Sequence, residues 1–223
     1  MHILILVAIL LALLVFWQNR TRNQRREKYI HSYFFHKGIR KKLADKYPFL
    51  NEQQLDLIFH ALKDYFFICL LANKKMLAMP SQAVDEAWHE FILSTRFYNQ
   101  FCQKAFGRYL HHTPTAAMPS PTLAQQGIKR TWRLACAVEK INPKRPEKLP
   151  LLFAIDGLLN IPDGFVYQLN CQETAQNKTS GYCATHIGCT SGCAGDSGND
   201  SGLFDSGSDS DCGSDCGGGC GGD

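Results

Sequence analysis

Residues 80–107 read PSQAVDEAWHEFILSTRFYNQFCQKAFG. Pro80-Ser81 reads as a helix start, with Ser81 as the N-cap and Asp85 favoured near the positive end of the helix. Val84, Trp88, Phe91, Thr95, Tyr98 and Cys102 then recur every three or four residues, the signature of one buried helix face. Gly107, with Arg108 beside it, fits a C-terminal stop. Read as one straight helix at about 100° per residue, the stretch puts all six residues within about 40° of Cys102. Cys102 is therefore expected to be a small core hydrophobe rather than a nucleophile. His89 falls about 140° away on the same wheel, which disfavours a Cys102–His89 dyad.

The flanking sequence extends the helical reading. Asn51 and Gln54 form a capping box ahead of Leu55, Ile58, Phe59, Leu62, Phe66 and Leu70, which predicts a helix over 52–72. A charged, helix-prone stretch over 23–46 is interrupted at Gly38. A polar, Pro-rich loop (111–121) precedes a helix expected over 122–140, with Ile128, Trp132, Ala135 and Val138 inward. After Pro143, Pro146 and Pro150, residues 149–171 suggest a short helix and one or two short strands, with turns at Asp156-Gly157 and Asp163-Gly164. The fold class is mostly all-α. The expected organisation is an anchor over 1–19, a basic juxtamembrane helix over 20–46, a compact helical domain over 47–171, and a tail over 172–223.

Residues 3–17, ILILVAILLALLVFW, are fully apolar. They reach about 22 Å, and Met1, His2 and Trp17 extend them towards the interfaces of a bilayer core of about 30 Å. No Lys or Arg precedes the run, and bulky Phe16-Trp17 closes it, so an uncleaved single-pass anchor is favoured over a signal peptide. Arg20, Arg22, Arg25, Arg26 and Lys28 follow directly. The positive-inside rule places the N-terminus outside and the remainder in the cytoplasm, where thiols stay reduced.

The tail differs in kind. Residues 183–223 hold six of the ten cysteines, seven aspartates and no Lys or Arg. Poor in large apolar groups, such a segment is expected to be disordered unless a metal or partner organises it. Cys183, Cys189, Cys193, Cys212, Cys216 and Cys220 are candidate ligands for zinc or another thiophilic metal. All 24 Lys and Arg lie before Cys183, so an acidic tail follows a basic body. Much of that basic excess is juxtamembrane and no nucleic-acid motif accompanies it, so no nucleic-acid partner is expected.

The most specific pattern is VDxxWHxFI over 84–92, then Thr95, Tyr98, Phe101-Cys102, Gly107 and His111-His112-Thr113-Pro114. It resembles the glycine-rich domain-containing protein-like family over roughly residues 47–171, and the Cys/Gly-rich tail resembles that of the family's bacterial members. The resemblance implies a helical body and names no reaction.

Four polar residues of this block are candidate metal ligands. Asp85 and His89 are spaced i, i+4, so the carboxylate either orients the imidazole or shares a metal with it. Because neighbouring carboxylate–histidine pairs are common without metals, a local pair pinning the helix edge is favoured over metal ligation. His111 and His112 are further candidates. A straight helix from His89 to Phe106 rises about 25 Å, while five extended residues return at most about 17 Å. A site joining these histidines is therefore strained, and sealing of the helix end is the more economical role. P-loop, GxGxxG, HExxH and GxSxG signatures are missing, which lowers the expectation of catalysis. The leading reading is a membrane-anchored, non-enzymatic interaction or metal-handling module. A metal- or thiol-dependent enzyme on Asp85, His89, His111 and His112 is the alternative, and a purely structural interaction protein with an unknown protein partner is the third.

Overall fold

The computed structural model describes residues 2–112, 121–169, 182–183 and 187. Among these are seven helices: α1 (His2–Ser32), α2 (Lys37–Lys46), α3 (Glu52–Leu71), α4 (Gln82–Leu93), α5 (Thr95–Ala105), α6 (Pro121–Val138) and α7 (Leu151–Leu158). Two-residue strands β1 (Tyr167–Gln168) and β2 (Tyr182–Cys183) pair in parallel. The fold is all-α apart from that pairing, as expected. The tail after Cys183, with Cys189, Cys193, Cys212, Cys216 and Cys220, lies outside the described residues, Ile187 apart.

Helix α3 is the hub. Its capping box forms as read: Gln54 N–H donates to Asn51 Oδ1 and Asn51 N–H to Gln54 Oε1, both at 2.9 Å. Leu55, Ile58, Phe59, Ala61, Leu62, Tyr65, Phe66, Ile68 and Cys69 are all buried. So many buried positions exceed one amphipathic stripe and mark a helix covered on several sides. Helices α1, α4, α6 and α7 all pack on it. Phe66, Phe91, Phe101 and Tyr33 form an aromatic cluster at the centre, with centroids 4.7–6.2 Å apart.

The basic stretch divides differently from the expectation at Gly38. Helix α1 runs unbroken from the apolar segment to Ser32, and its last turn enters the core through buried Ile30. The chain breaks over Tyr33–His36, because His36 takes an extended conformation and its Nδ1 accepts from Gly38 N–H at 3.0 Å. Gly38 then sits inside α2. Phe35 is buried, whereas Phe34 is 82% exposed.

The 80–107 stretch is two helices, not one. Ser94 (φ −82°, ψ 57°) leaves helical geometry and both ends α4 and begins α5. Thr95, expected inward, is exposed. Tyr98 and Cys102 are buried nonetheless, because α5 turns its own face to the core.

Residues 156–157 also depart from the expected turn. Both lie within α7, and Asp156 is 2% exposed. Its carboxylate accepts from Ser81 Oγ at 2.6 Å, Gln82 N–H at 2.7 Å, Ala83 N–H at 3.2 Å and Phe165 N–H at 2.9 Å. The first N–H groups of α4, which lack partners within the helix, are thus satisfied from α7. Asp156→Ala would orphan these donors, at about 1–3 kcal/mol per buried group left unpaired. We expect a loss of at least about 3 kcal/mol in urea denaturation; a loss below 1 kcal/mol would contradict this role.

Two glycines give opposite expectations. A Cβ on Gly164 would lie 2.7 Å from Asp156 Cβ and 2.9 Å from Ile161 Cβ, whereas one on Gly157 meets nothing within 4 Å. Gly164→Ala should cost about 1–3 kcal/mol through overpacking. Gly157→Ala, in the last turn of α7, should gain up to about 0.5–1 kcal/mol. Thermal melts of the two variants should shift in opposite directions.

Candidate functional site

Helix α4 carries Asp85 and His89 on adjacent turns, and the Asp156–Ser81 cap fixes its N-terminus. The α4–α5 break folds the chain back, so the segment after α5 returns to α4. A second device holds that return. Trp88 Nε1–H donates to Tyr98 Oη at 3.1 Å, and Tyr98 Oη–H donates to the Leu110 carbonyl. Two residues beyond Leu110, the His112 ring lies 4.4 Å from Trp88 and 4.5 Å from His89. The strain expected for a site joining these histidines disappears because the helix is not straight.

Three of the four candidate residues of the body meet. Asp85, His89 and His112 each offer a ligand atom, and the three atoms lie within 4.8 Å of one another. His112 Nε2 is 3.4 Å from Asp85 Oδ1, and His89 Nδ1 is 3.8 Å from Asp85 Oδ2. The fourth, His111, is exposed and packs on Tyr109 instead. His60, another histidine of the body, pairs with Asp64 on α3.

The electrostatics are unusual for an Asp–His contact. Burial pushes the Asp85 carboxyl up to about 6, with Glu86 adding to the rise and His89 and Lys46 opposing it. Burial likewise pushes His112 down to about 4, aided by His89. Both groups are driven towards their neutral forms, so they do not make a strong ion pair. Asp85 Oδ1 and His112 Nε2 are buried and have no hydrogen-bond partner. At 3.4 Å their contact is too long for a good N–H···O bond. A tetrahedral ion with bonds of about 2.0–2.2 Å would separate its ligands by about 3.3–3.6 Å. The two orphaned atoms stand at that separation.

The cluster opens onto a cleft of about 420 Å3, lined by Asp85, His112, Trp88 and Tyr65 with residues of the 74–79 loop and Arg108. The loop is fastened to α6: Arg130 donates to the Met76 carbonyl at 2.6 Å and Thr131 Oγ1–H to the Ala78 carbonyl at 2.8 Å. The sequence reading missed this side of the site. Its only signal was Asn73-Lys74-Lys75 following a helix end.

Three thiols of the helical body are unsuited to nucleophilic work. Cys69, Cys102 and Cys136 are free and buried. Burial raises all three, Cys69 and Cys136 to about 12, which leaves them protonated at neutral pH.

A family model, UCP032817-like, matches residues 25–187. The chain belongs to the UCP032817-like family. The matched region begins after the apolar run and contains Asp85, His89 and His112, and it ends before Cys189 and the four tail cysteines that follow. Neither a curated protein nor a solved structure matches the chain.

If Tyr98 Oη positions the His112 segment, Tyr98→Phe should loosen it without emptying the core. We expect a stability loss of about 1–2 kcal/mol and faster hydrogen exchange at residues 110–112. Unchanged exchange there would rule out the positioning role.

Proposed function

We propose that this is a membrane-anchored protein whose helical body binds a divalent metal ion through Asp85, His89 and His112. One observation carries the reading: two buried, unpartnered ligand atoms, Asp85 Oδ1 and His112 Nε2, face each other 3.4 Å apart. Leaving such groups unpaired costs about 1–3 kcal/mol each, and an ion between them would remove that cost. A nitrogen- and oxygen-donor set of two histidines and a carboxylate suits zinc, ferrous iron or another first-row ion. The tail cysteines form a separate set of soft candidate ligands.

Membrane anchoring is supported by α1, which is long and apolar enough to cross a bilayer and has none of its apolar window buried in the protein. The exposed apolar side chains at 3–7 and 9–17 form a large unsatisfied hydrophobic surface in water. The basic residues after it favour a cytoplasmic body. The motif resemblance to glycine-rich domain-containing proteins accords with a helical body bearing such a tail. A second reading, metal-dependent chemistry, is favoured by the three-residue ligand set. It would leave a coordination position open towards the cleft, as catalytic sites do.

Elemental analysis of the full chain, purified in detergent without chelators, tests the proposal. We expect one equivalent of metal in the wild type and in His111→Ala, and retention when the six tail cysteines become serine. Asp85→Ala and His112→Ala should each lower affinity at least about tenfold. Retention by both variants, or a wild-type chain that takes up no added metal, would overturn the reading.

The pH dependence has a definite sign. The metal needs the Asp85 carboxylate, and in the metal-free protein a proton holds that group up to a pH of about 6. His112, lowered to about 4, is already neutral there. Zinc affinity should therefore be flat above pH 6 with respect to this pair, and fall about tenfold per unit below it as one proton competes.

A further inference from the structure

We infer that the cleft beside this centre binds a small organic oxyanion, a phosphate ester or carboxylate with an apolar body, held by Arg108 and Lys74 with the metal as a third point. The last of these points rests on the metal reading of Asp85, His89 and His112; the other two do not.

Charge comes first. Among the described residues Asp85 is the sole carboxylate lining the cleft, against Lys74 and Arg108. A metal would neutralise that carboxylate and leave Arg108 and Lys74 as positive points of the wall. Among the described residues neither Arg108 nor Lys74 meets a carboxylate, unlike Arg40, Lys42, Lys46 and Lys148. An arginine fork at a cleft wall matches the geometry of carboxylates and phosphates.

Backbone geometry points the same way. Asn73 and Lys74 are consecutive non-glycine residues in the left-handed region, at φ 44° and 76°. Such conformations are held only where the surroundings over-determine them. Here the Arg130 and Thr131 bonds to Met76 and Ala78 fix the loop from α6, and the result is Lys74 at the cleft. Gly107 (φ 71°) ends α5, its N–H reaching the Cys102 and Gln103 carbonyls, and the next residue, Arg108, also lines the cleft. The remaining lining is largely apolar, including Met76, Leu77, Met79 and Leu110. At about 420 Å3 the cleft lies within the range of small-molecule sites. An anion with an apolar body satisfies both parts of the wall.

Calorimetric titration of the full chain in detergent, with and without Co2+, tests the inference. The probes are phenyl phosphate and phenylacetate, with benzyl alcohol as the neutral comparator. We expect at least one anion to bind, benzyl alcohol to bind at least tenfold more weakly, and Co2+ to tighten the anion. Arg108→Gln should weaken the anion about tenfold or more, Arg108→Lys less, and Lys74→Gln a few-fold, with Co2+ affinity unchanged in each. Lys74 is exposed, so its variant carries the test should Arg108→Gln fail to fold. Binding of neither anion, equal binding of benzyl alcohol, or insensitivity to both cation substitutions would overturn the inference. Co2+ uptake without anion binding would leave the metal reading standing alone. Arg108-dependent anion binding without Co2+ uptake would reject the metal and retain the anion site on its two cations.

Discussion

The Asp156 carboxylate sits on α7, 2% exposed, and accepts from Ser81 Oγ and from the backbone N–H groups of Gln82, Ala83 and Phe165. A buried carboxylate is tolerable only when hydrogen bonds replace its lost water. Here four donors do so, and three of them belong to the first turn of α4 or its cap. The positive end of the helix dipole adds to the effect. Ser81 works at two levels, donating to Asp156 and accepting from Val84 N–H at 3.1 Å. The start of α4 is thereby tied to a helix more than seventy residues downstream. Asp85 and His89 ride on the first two turns of α4, so the placement of both candidate ligands follows from this one buried anion.

The break at Ser94 is the complementary constraint. A continuous helix would have carried the chain away from α4 and left Asp85 and His89 as a surface pair. Ending the helix there lets α5 pack back on the aromatic cluster. The Trp88–Tyr98–Leu110 relay then converts a core tryptophan into a fastener for the segment bearing His112. The site is consequently built on two helices and a short tethered strand of chain. The His112 ring is limited by packing against Trp88, one condition for a preorganised ligand set.

Local features were legible in the sequence, and long-range ones were not. The Asn51–Gln54 capping box, the helix behind it and the burial of Cys102 depend on residues within a few turns of each other, and each is found. The Ser94 break is nearly invisible to periodicity because Tyr98 and Cys102 are buried on either reading; exposed Thr95 alone betrays it. Asp156-Gly157 reads as a turn by local propensity, yet four hydrogen bonds from distant residues place Asp156 in a helix. The Asp85–His89 pair was visible as an i, i+4 spacing. The joining of His112 to it was not, since that follows from the break and the relay rather than from any spacing.

The core around the cluster is otherwise economical with polar groups. Among the described residues, the fully buried Ser81, Thr131 and Asp156 all have hydrogen-bond partners. Four buried side-chain atoms of the described residues lack a hydrogen-bond partner, Tyr47 Oη, Glu90 Oε2, Asp85 Oδ1 and His112 Nε2; the last two differ from the others in confronting one another, 3.4 Å apart. Replacing either side chain with an apolar one of similar size would relieve the cost of leaving it unpaired. The chain instead places a carboxylate and an imidazole together, holds both by packing, and pushes each towards its neutral form. A lone proton shared between them would satisfy one atom each at a contact of 3.4 Å, which is poor geometry for a hydrogen bond. On the proposed metal reading, a cation with bonds of about 2 Å would fit that gap, restore the carboxylate's charge, and use the imidazole nitrogen in the neutral state burial already favours. The same cost in stability thus acquires a reason when the pair is read as a half-built coordination sphere.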